Sequence, residues 1–174
     1  MIFTAYADGV FELDGRLVRC ALGRNGVISA SAKREGDGCS PCGAWPLRRV
    51  LYRPDRGEAP VTRLACTPVA DNDGWCDSPG DPAYNRPVPL PYPASAERLW
   101  RDDGLYNLIV ILGYNDDPVV AWSGSAIFLH VAAPGYGSTE GCVALARPDL
   151  EALLAMAGAD DLIAITDRRL GIQP

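Results

Sequence analysis

Apolar and polar residues alternate through the first segments of the chain. Residues 3–8 (FTAYAD), 10–15 (VFELDG) and 16–23 (RLVRCALG) carry the alternation, with Asp-Gly pairs between them. Strand side chains point to opposite faces in turn, and Asp-Gly favours tight reversals, so the pattern predicts a short antiparallel meander. Residues 45–52 predict a further strand. Two runs, 105–114 (LYNLIVILGY) and 125–132 (SAIFLHVA), are nearly all apolar, as expected of strands covered on both faces. GCVALA at 141–146 and DLIAIT at 161–166 read as short strands. Over 147–158 the period changes to that of a helix. Leu150, Leu153, Leu154 and Ala157 share a face, Pro148 suits the first turn, and Gly158 ends it. Residues 95–103 (SAERLWRDD) predict a second, short helix with Ser95 at its N-cap. The stretch from about 54 to 93 is rich in Pro, Gly and Asp without a period, which predicts a long loop or lid. The expected fold is α+β, mainly β with a few helices: a mixed sandwich forming one domain over 1–174.

Composition narrows the function. With 174 residues, 48% hydrophobic and 22% charged, the chain has the make-up of an ordinary globular domain. A net charge of -6 with scattered arginines gives nucleic acid and anionic membranes no general attraction. No run is long enough to span a bilayer, so membrane insertion is not expected. The first residues lack the basic segment and apolar core of a signal peptide, which leaves a mature form, another export route or an internal protein open. No glycine-rich loop joins a strand to a helix, so no nucleotide cofactor is expected.

The candidate chemistry rests on the single histidine, His130, and on Cys142. A turn-rich link (VAAPGYG) separates the strand bearing His130 from the segment STEGCVAL. A free thiol is only a few per cent thiolate at neutral pH, and an adjacent imidazole can take its proton and return it to a leaving amine. Gly141 permits close approach of a carbonyl, and the Gly141 and Cys142 backbone N–H groups are candidates to face an oxyanion. The competing interpretation is a structural histidine beside an inert buried cysteine.

HVAAPGYGSTEGCVAL resembles the active-site signature of the L,D-transpeptidase (YkuD) family: histidine, a linker, Ser or Thr, a spacer, Gly-Cys and an apolar residue. His130, Ser138 or Thr139, Gly141, Cys142 and Val143 are the matching positions. Upstream, KREGDGCSPCGAW resembles a second family segment through Lys33, Gly36, Ser40, Pro41, Gly43 and Trp45. The resemblance implies a YkuD-like β-sandwich with mixed sheets, acting on peptidoglycan stem peptides in the periplasm without cofactor or metal. It implies Cys142 as nucleophile and His130 as base, oriented by the backbone carbonyl of Val131. It also implies acylation by carbapenem-type inhibitors. A monomer is expected.

Two positions depart from the family pattern. Glu140 stands where histidine is frequent; pointing inward it would oppose thiolate formation, and pointing outward it would be solvated. Ala144 stands where Asn or Arg is usual, and a methyl group cannot hold a donor carboxylate. This combination, with the Pro-rich insertion, resembles a proteobacterial subgroup that joins L-Ala of the donor to diaminopimelate of the acceptor (1,3 rather than 3,3 cross-links). Ser138, Thr139, Glu140, Ala144, Trp75, Tyr84, Arg86 and Tyr114 are the candidate substrate-binding positions. Tyr92, Trp100, Arg98 and Arg101 are further candidates, against ordinary packing or solvation. Cys39-Ser-Pro-Cys42 lacks the partners of a zinc site and the setting of a redox motif. Pairing of Cys20, Cys39, Cys42, Cys66 and Cys76 is left open: two disulfides and none both fit. Residues 115–117 read as an Asx turn rather than a metal cage. A hydrolase on the same stems, or an inactive wall-binding module, are the alternatives.

Overall fold

In the computed structural model, which describes residues 1–167, the predicted meander is formed by β1 (Ile2–Tyr6), β2 (Val10–Leu13) and β3 (Arg16–Ala21). The remaining elements are β4 (Val27–Ser29), β5 (Ser40–Tyr52), β6 (Cys66–Pro68), β7 (Asp73–Cys76), β8 (Pro87–Pro89), β9 (Ala96–Arg98), β10 (Leu108–Leu112), β11 (Phe128–Val131), β12 (Val143–Leu145), α1 (Arg147–Met156) and β13 (Leu162–Thr166). The large sheet runs β10-β11-β12-β3-β2-β1-β13-β5-β4, with β6 also on β5. The long strand β5 pairs with β13 through Gly43–Pro46 and with β10 through Leu47–Tyr52. The path of strands therefore closes on itself around one core. Two pairings decide the site: β11 lies parallel to β12, and β12 lies antiparallel to β3.

The uninterrupted apolar run of β10 has a direct explanation. Leu108, Val110 and Leu112 face the main core with Phe11, Leu129 and the Leu150–Leu153–Leu154 face of α1. Ile109 and Ile111 face the other way, into a second cluster with Trp75, Leu99, Tyr106, Phe128 and Cys142. That outer face is covered by a separate three-stranded sheet, β8-β7-β9.

Two expectations need correction. Residues 95–103 form no helix. Ala96–Arg98 pairs with Gly74–Cys76 of β7, and the Ser95 carbonyl accepts the Asp77 N–H instead of the residue capping a helix. A helix of this length is marginal by itself, so an unsatisfied strand edge outcompetes it. The 54–93 stretch is not a bare loop, because β6, β7 and β8 lie within it. Short strands rich in Pro and Gly carry little period, which hid them. The helix at 147–158 is present, ending at Met156, two residues before Gly158.

Candidate active site

Strand register places the two reactive side chains. His130 stands opposite Ala144 and Leu129 opposite Val143 in the parallel β11–β12 pair. Side chains two apart share a strand face. Phe128 and His130 of β11, with Ala144 and the preceding Cys142 of β12, therefore face the inserted sheet, while Leu129, Val143 and Leu145 fill the core. Cys142 and His130 open into one cavity of about 490 Å³.

Each group is held by backbone. The Cys142 thiol donates to the Ala126 carbonyl at 3.2 Å, and its sulfur accepts the Phe128 N–H at 3.3 Å. The His130 ring bonds the Val131 carbonyl through Nδ1 at 2.8 Å. A carbonyl only accepts, so Nδ1 carries the proton and Nε2 keeps its lone pair, the form a base requires. The Tyr106 ring meets the imidazole edge-on, centroids 5.3 Å apart. Both groups are neutral at rest. Burial, then Glu97, push the Cys142 thiol up to about 12, against smaller lowering by the Phe128 N–H, Lys33 and Arg101. Burial brings His130 down to about 4, against the bond to Val131 that favours its charged form.

The turn before Cys142 is fixed by the residues of the upstream segment. Ser40 Oγ accepts the Gly23 N–H and donates to the Cys142 carbonyl. Thr139 Oγ1 donates to the same carbonyl at 2.7 Å and accepts the Gly141 N–H at 3.1 Å. That N–H is thus engaged within the turn. Gly141 sits at φ +140°, and a Cβ there would lie 2.8 Å from the Cys39 carbonyl oxygen. Lys33 is buried, its ammonium donating to Asp37 at 2.6 Å and to the Arg34 carbonyl.

Ser138, Thr139, Glu140 and Ala144 border the cavity. The Glu140 side chain is 77% exposed and pairs with Arg24, so the carboxylate that opposes thiolate formation is Glu97, distant in sequence. Trp75, Tyr84, Arg86 and Tyr114 lie outside the lining. Trp75 packs edge-on against Phe128, 5.2 Å between centroids, behind the site. Tyr84 donates to Glu35, and its oxygen accepts the Gly124 N–H at 3.0 Å. Arg86 donates to the Asp116 carbonyl, and Tyr114 to the Ser123 carbonyl. Sequence reasoning missed Tyr106, Glu97, Asp77 and Glu35, which line the cavity together with Arg101. The one signal for Tyr106 was its place at the start of an apolar run. Glu97 was hidden because the inserted sheet supplies it. All six cysteines are free thiols. Among the described residues no acidic, cysteine or histidine cluster could hold a metal ion, and no helix is long and apolar enough to cross a membrane.

The mixed β fold thus opens a thiol and an imidazole into one groove. The sequence matches the family model for YkuD, the L,D-transpeptidase catalytic domain, over residues 2–165. The chain belongs to that family, whose substrates are peptidoglycan stem peptides. No curated protein and no solved structure matches it.

Proposed function

We propose that the chain, acting as one catalytic domain, is an L,D-transpeptidase working through a Cys142 acyl-enzyme. The observation that carries this reading is the shared face of β11 and β12, where His130, with Nδ1 tied to the Val131 carbonyl, opens into the same cavity as Cys142. His130 Nε2 takes the thiol proton as sulfur bonds to the carbonyl carbon of an L-centred donor residue. The Cys142 N–H faces the oxyanion. The C–N bond then breaks, the imidazolium protonates the leaving amine, and a thioester remains. A neutral acceptor amine, the side-chain amine of meso-diaminopimelate, attacks the thioester. Its proton passes to His130 and on to the departing sulfur. With both groups neutral in the empty site, charge separation awaits the substrate, whose oxyanion and excluded water change the balance.

The donor we propose is L-Ala, giving a 1,3 cross-link. Ala144 supports this, because β12 presents a methyl group beside His130 where a carboxylate-binding side chain is usual, while the inserted sheet supplies Glu97 to the other side of the cavity. The reaction belongs outside the cytoplasm, where the stems lie. Incubation with defined muropeptides, followed by mass spectrometry, tests both parts. A cross-linked dimer joined through L-Ala is expected. A 3,3 dimer would remove the donor assignment, and a shortened monomer alone would make the enzyme a hydrolase.

A further inference from the structure

Three arginines of the inserted region are candidates for a substrate carboxylate, and the structure separates them. Arg86 donates to the Asn85 and Asp116 carbonyls, and Arg98 to the Asp71 carbonyl; neither lines the cavity. Arg101 does. Its guanidinium lies over the Tyr106 ring, 4.9 Å from the centroid, and Tyr106 in turn abuts His130. The Nε/Nη2 side is committed to Asp103, with contacts of 3.0 and 3.2 Å from Nε and 2.5 Å from Nη2, which fixes the plane of the group. The opposite side is less committed: Nη1 faces Glu97 at 3.5 Å, an ion-pair separation without a close hydrogen bond. Glu97 also accepts from Tyr106 at 2.6 Å, so its carboxylate is shared between the phenol and the arginine. Lys33, the other cation in the cavity, already gives N–H groups to Asp37 and Arg34.

We infer that Arg101 is the carboxylate-recognising residue of the cavity, binding through Nη1 and the second N–H of Nη2, the one not given to Asp103, the α-carboxylate on the amine side of the scissile bond. That carboxylate sits on the carbon next to the leaving nitrogen, so gripping it orients the amide carbonyl toward Cys142. A guanidinium fork matches a carboxylate with two parallel N–H···O bonds, which neither a lysine nor the methyl of Ala144 provides. Arg101 thereby takes over from the inserted sheet's connection the grip that the strand position of Ala144 lacks. The inference rests on the proposed transferase reading for the identity of the ligand, and its test is separable from turnover.

The experiment measures binding to the full chain carrying Cys142→Ala, by calorimetry. The ligands are L-Ala-D-isoglutamate-diaminopimelate and its D-isoglutamine counterpart, which differ only in carboxylate against carboxamide. The carboxylate ligand is expected to bind roughly tenfold to a hundredfold tighter. Adding Arg101→Ala should bring the ratio to about one, and Arg101→Lys should restore part of it. An unchanged ratio in the Arg101→Ala protein, equal affinity of the two ligands for the Arg101 protein, or binding of neither overturns the inference. Failure of the intact enzyme to turn over muropeptides, with the carboxylate preference present and Arg101-dependent, sinks the transferase reading and leaves the carboxylate subsite standing.

Discussion

The two sides of the cavity are built from different materials. The floor, β11 and β12 with the turn before Cys142, is fixed by ladder pairing and by buried hydroxyl and backbone bonds: Ser40 and Thr139 on the Cys142 carbonyl, Val131 on His130. The facing wall, from Glu97 to Tyr106, starts on the short β9–β7 pairing and beyond it is held by side chains: Arg53 on Asp55, Arg101 on Asp103, Tyr106 on Glu97. A backbone-defined floor keeps reacting atoms in place whatever the substrate. A wall made of ion pairs and rings can be rebuilt by a few substitutions without disturbing the sheet. Reaction type and donor choice are thus separated in the fold, and changes on the two sides should have different signatures.

The largest effect is expected on the floor. His130→Ala and Cys142→Ser should each lower muropeptide turnover by a factor of about 10³ or more, since one removes the base and the other the nucleophile. Thermal unfolding should move only modestly, because the Ser hydroxyl can still donate to the Ala126 carbonyl. Residual turnover within tenfold of the parent in either variant would take the chemistry away from this pair.

The floor also carries an acid sensitivity. His130 titrates near 4 in the folded chain and near 6.5 when unfolded. Below about 6.5 the unfolded chain binds a proton that the folded chain refuses. Stability contributed by neutral His130 is full above that point and falls away toward pH 4, by about 3 kcal/mol in all. Urea unfolding at successive pH values should show the loss, and His130→Ala should flatten it. The same slope in both proteins would assign the acid sensitivity elsewhere.

On the wall, Arg53 is the buried support. It is 2% exposed, paired through Nε and Nη2 with Asp55, stacked on Trp100 with its Cζ 3.7 Å from the ring centroid, and bonded to the Arg101 carbonyl. Arg53→Met keeps the apolar stem and removes those bonds. It should cost about 2–3 kcal/mol in urea unfolding, less than for a fully buried pair because Asp55 is 42% exposed and can rehydrate. Donor turnover should fall with it, while alkylation of Cys142 by iodoacetamide should hardly change. Equal losses in both assays would mean that floor and wall are not separable.

The same division governs what the sequence reveals. His130, Cys142, Gly141, Thr139 and Ser40 lie in short contiguous segments, and the backbone bonds that hold them are local or set by strand register. The apolar runs that became β10 and β11 were equally legible, because burial of both faces leaves a continuous pattern. The wall is assembled by contacts between distant positions. Glu97 reaches the cavity because Ala96–Arg98 pairs with β7, an edge pairing that residues 95–103, with a helical period of their own, did not announce. Trp75 and Tyr84 stood out as aromatics, yet the apolar outer face of β10 and β11 draws Trp75 behind the site and bonds to Glu35 and Gly124 hold Tyr84 beside it.

The smallest expected effect probes contact between the two sides. After burial, Glu97 is the largest influence holding the Cys142 thiol up, so its negative charge acts across the cavity on the floor. Because the thiol titrates near 12, the rate of iodoacetamide alkylation of the empty enzyme should climb steadily through pH 9 without a plateau. A preformed thiolate–imidazolium pair would instead give a flat rate across neutral pH. Glu97→Gln removes the charge and keeps the shape. The sign follows directly: without a neighbouring anion the thiolate is easier to form, so the profile moves to lower pH and alkylation at pH 8 rises about threefold. It stays well short of a normal thiol, because burial, the larger cause, is untouched. An unchanged profile would place the Glu97 charge out of reach of the sulfur and make the wall a matter of substrate binding alone.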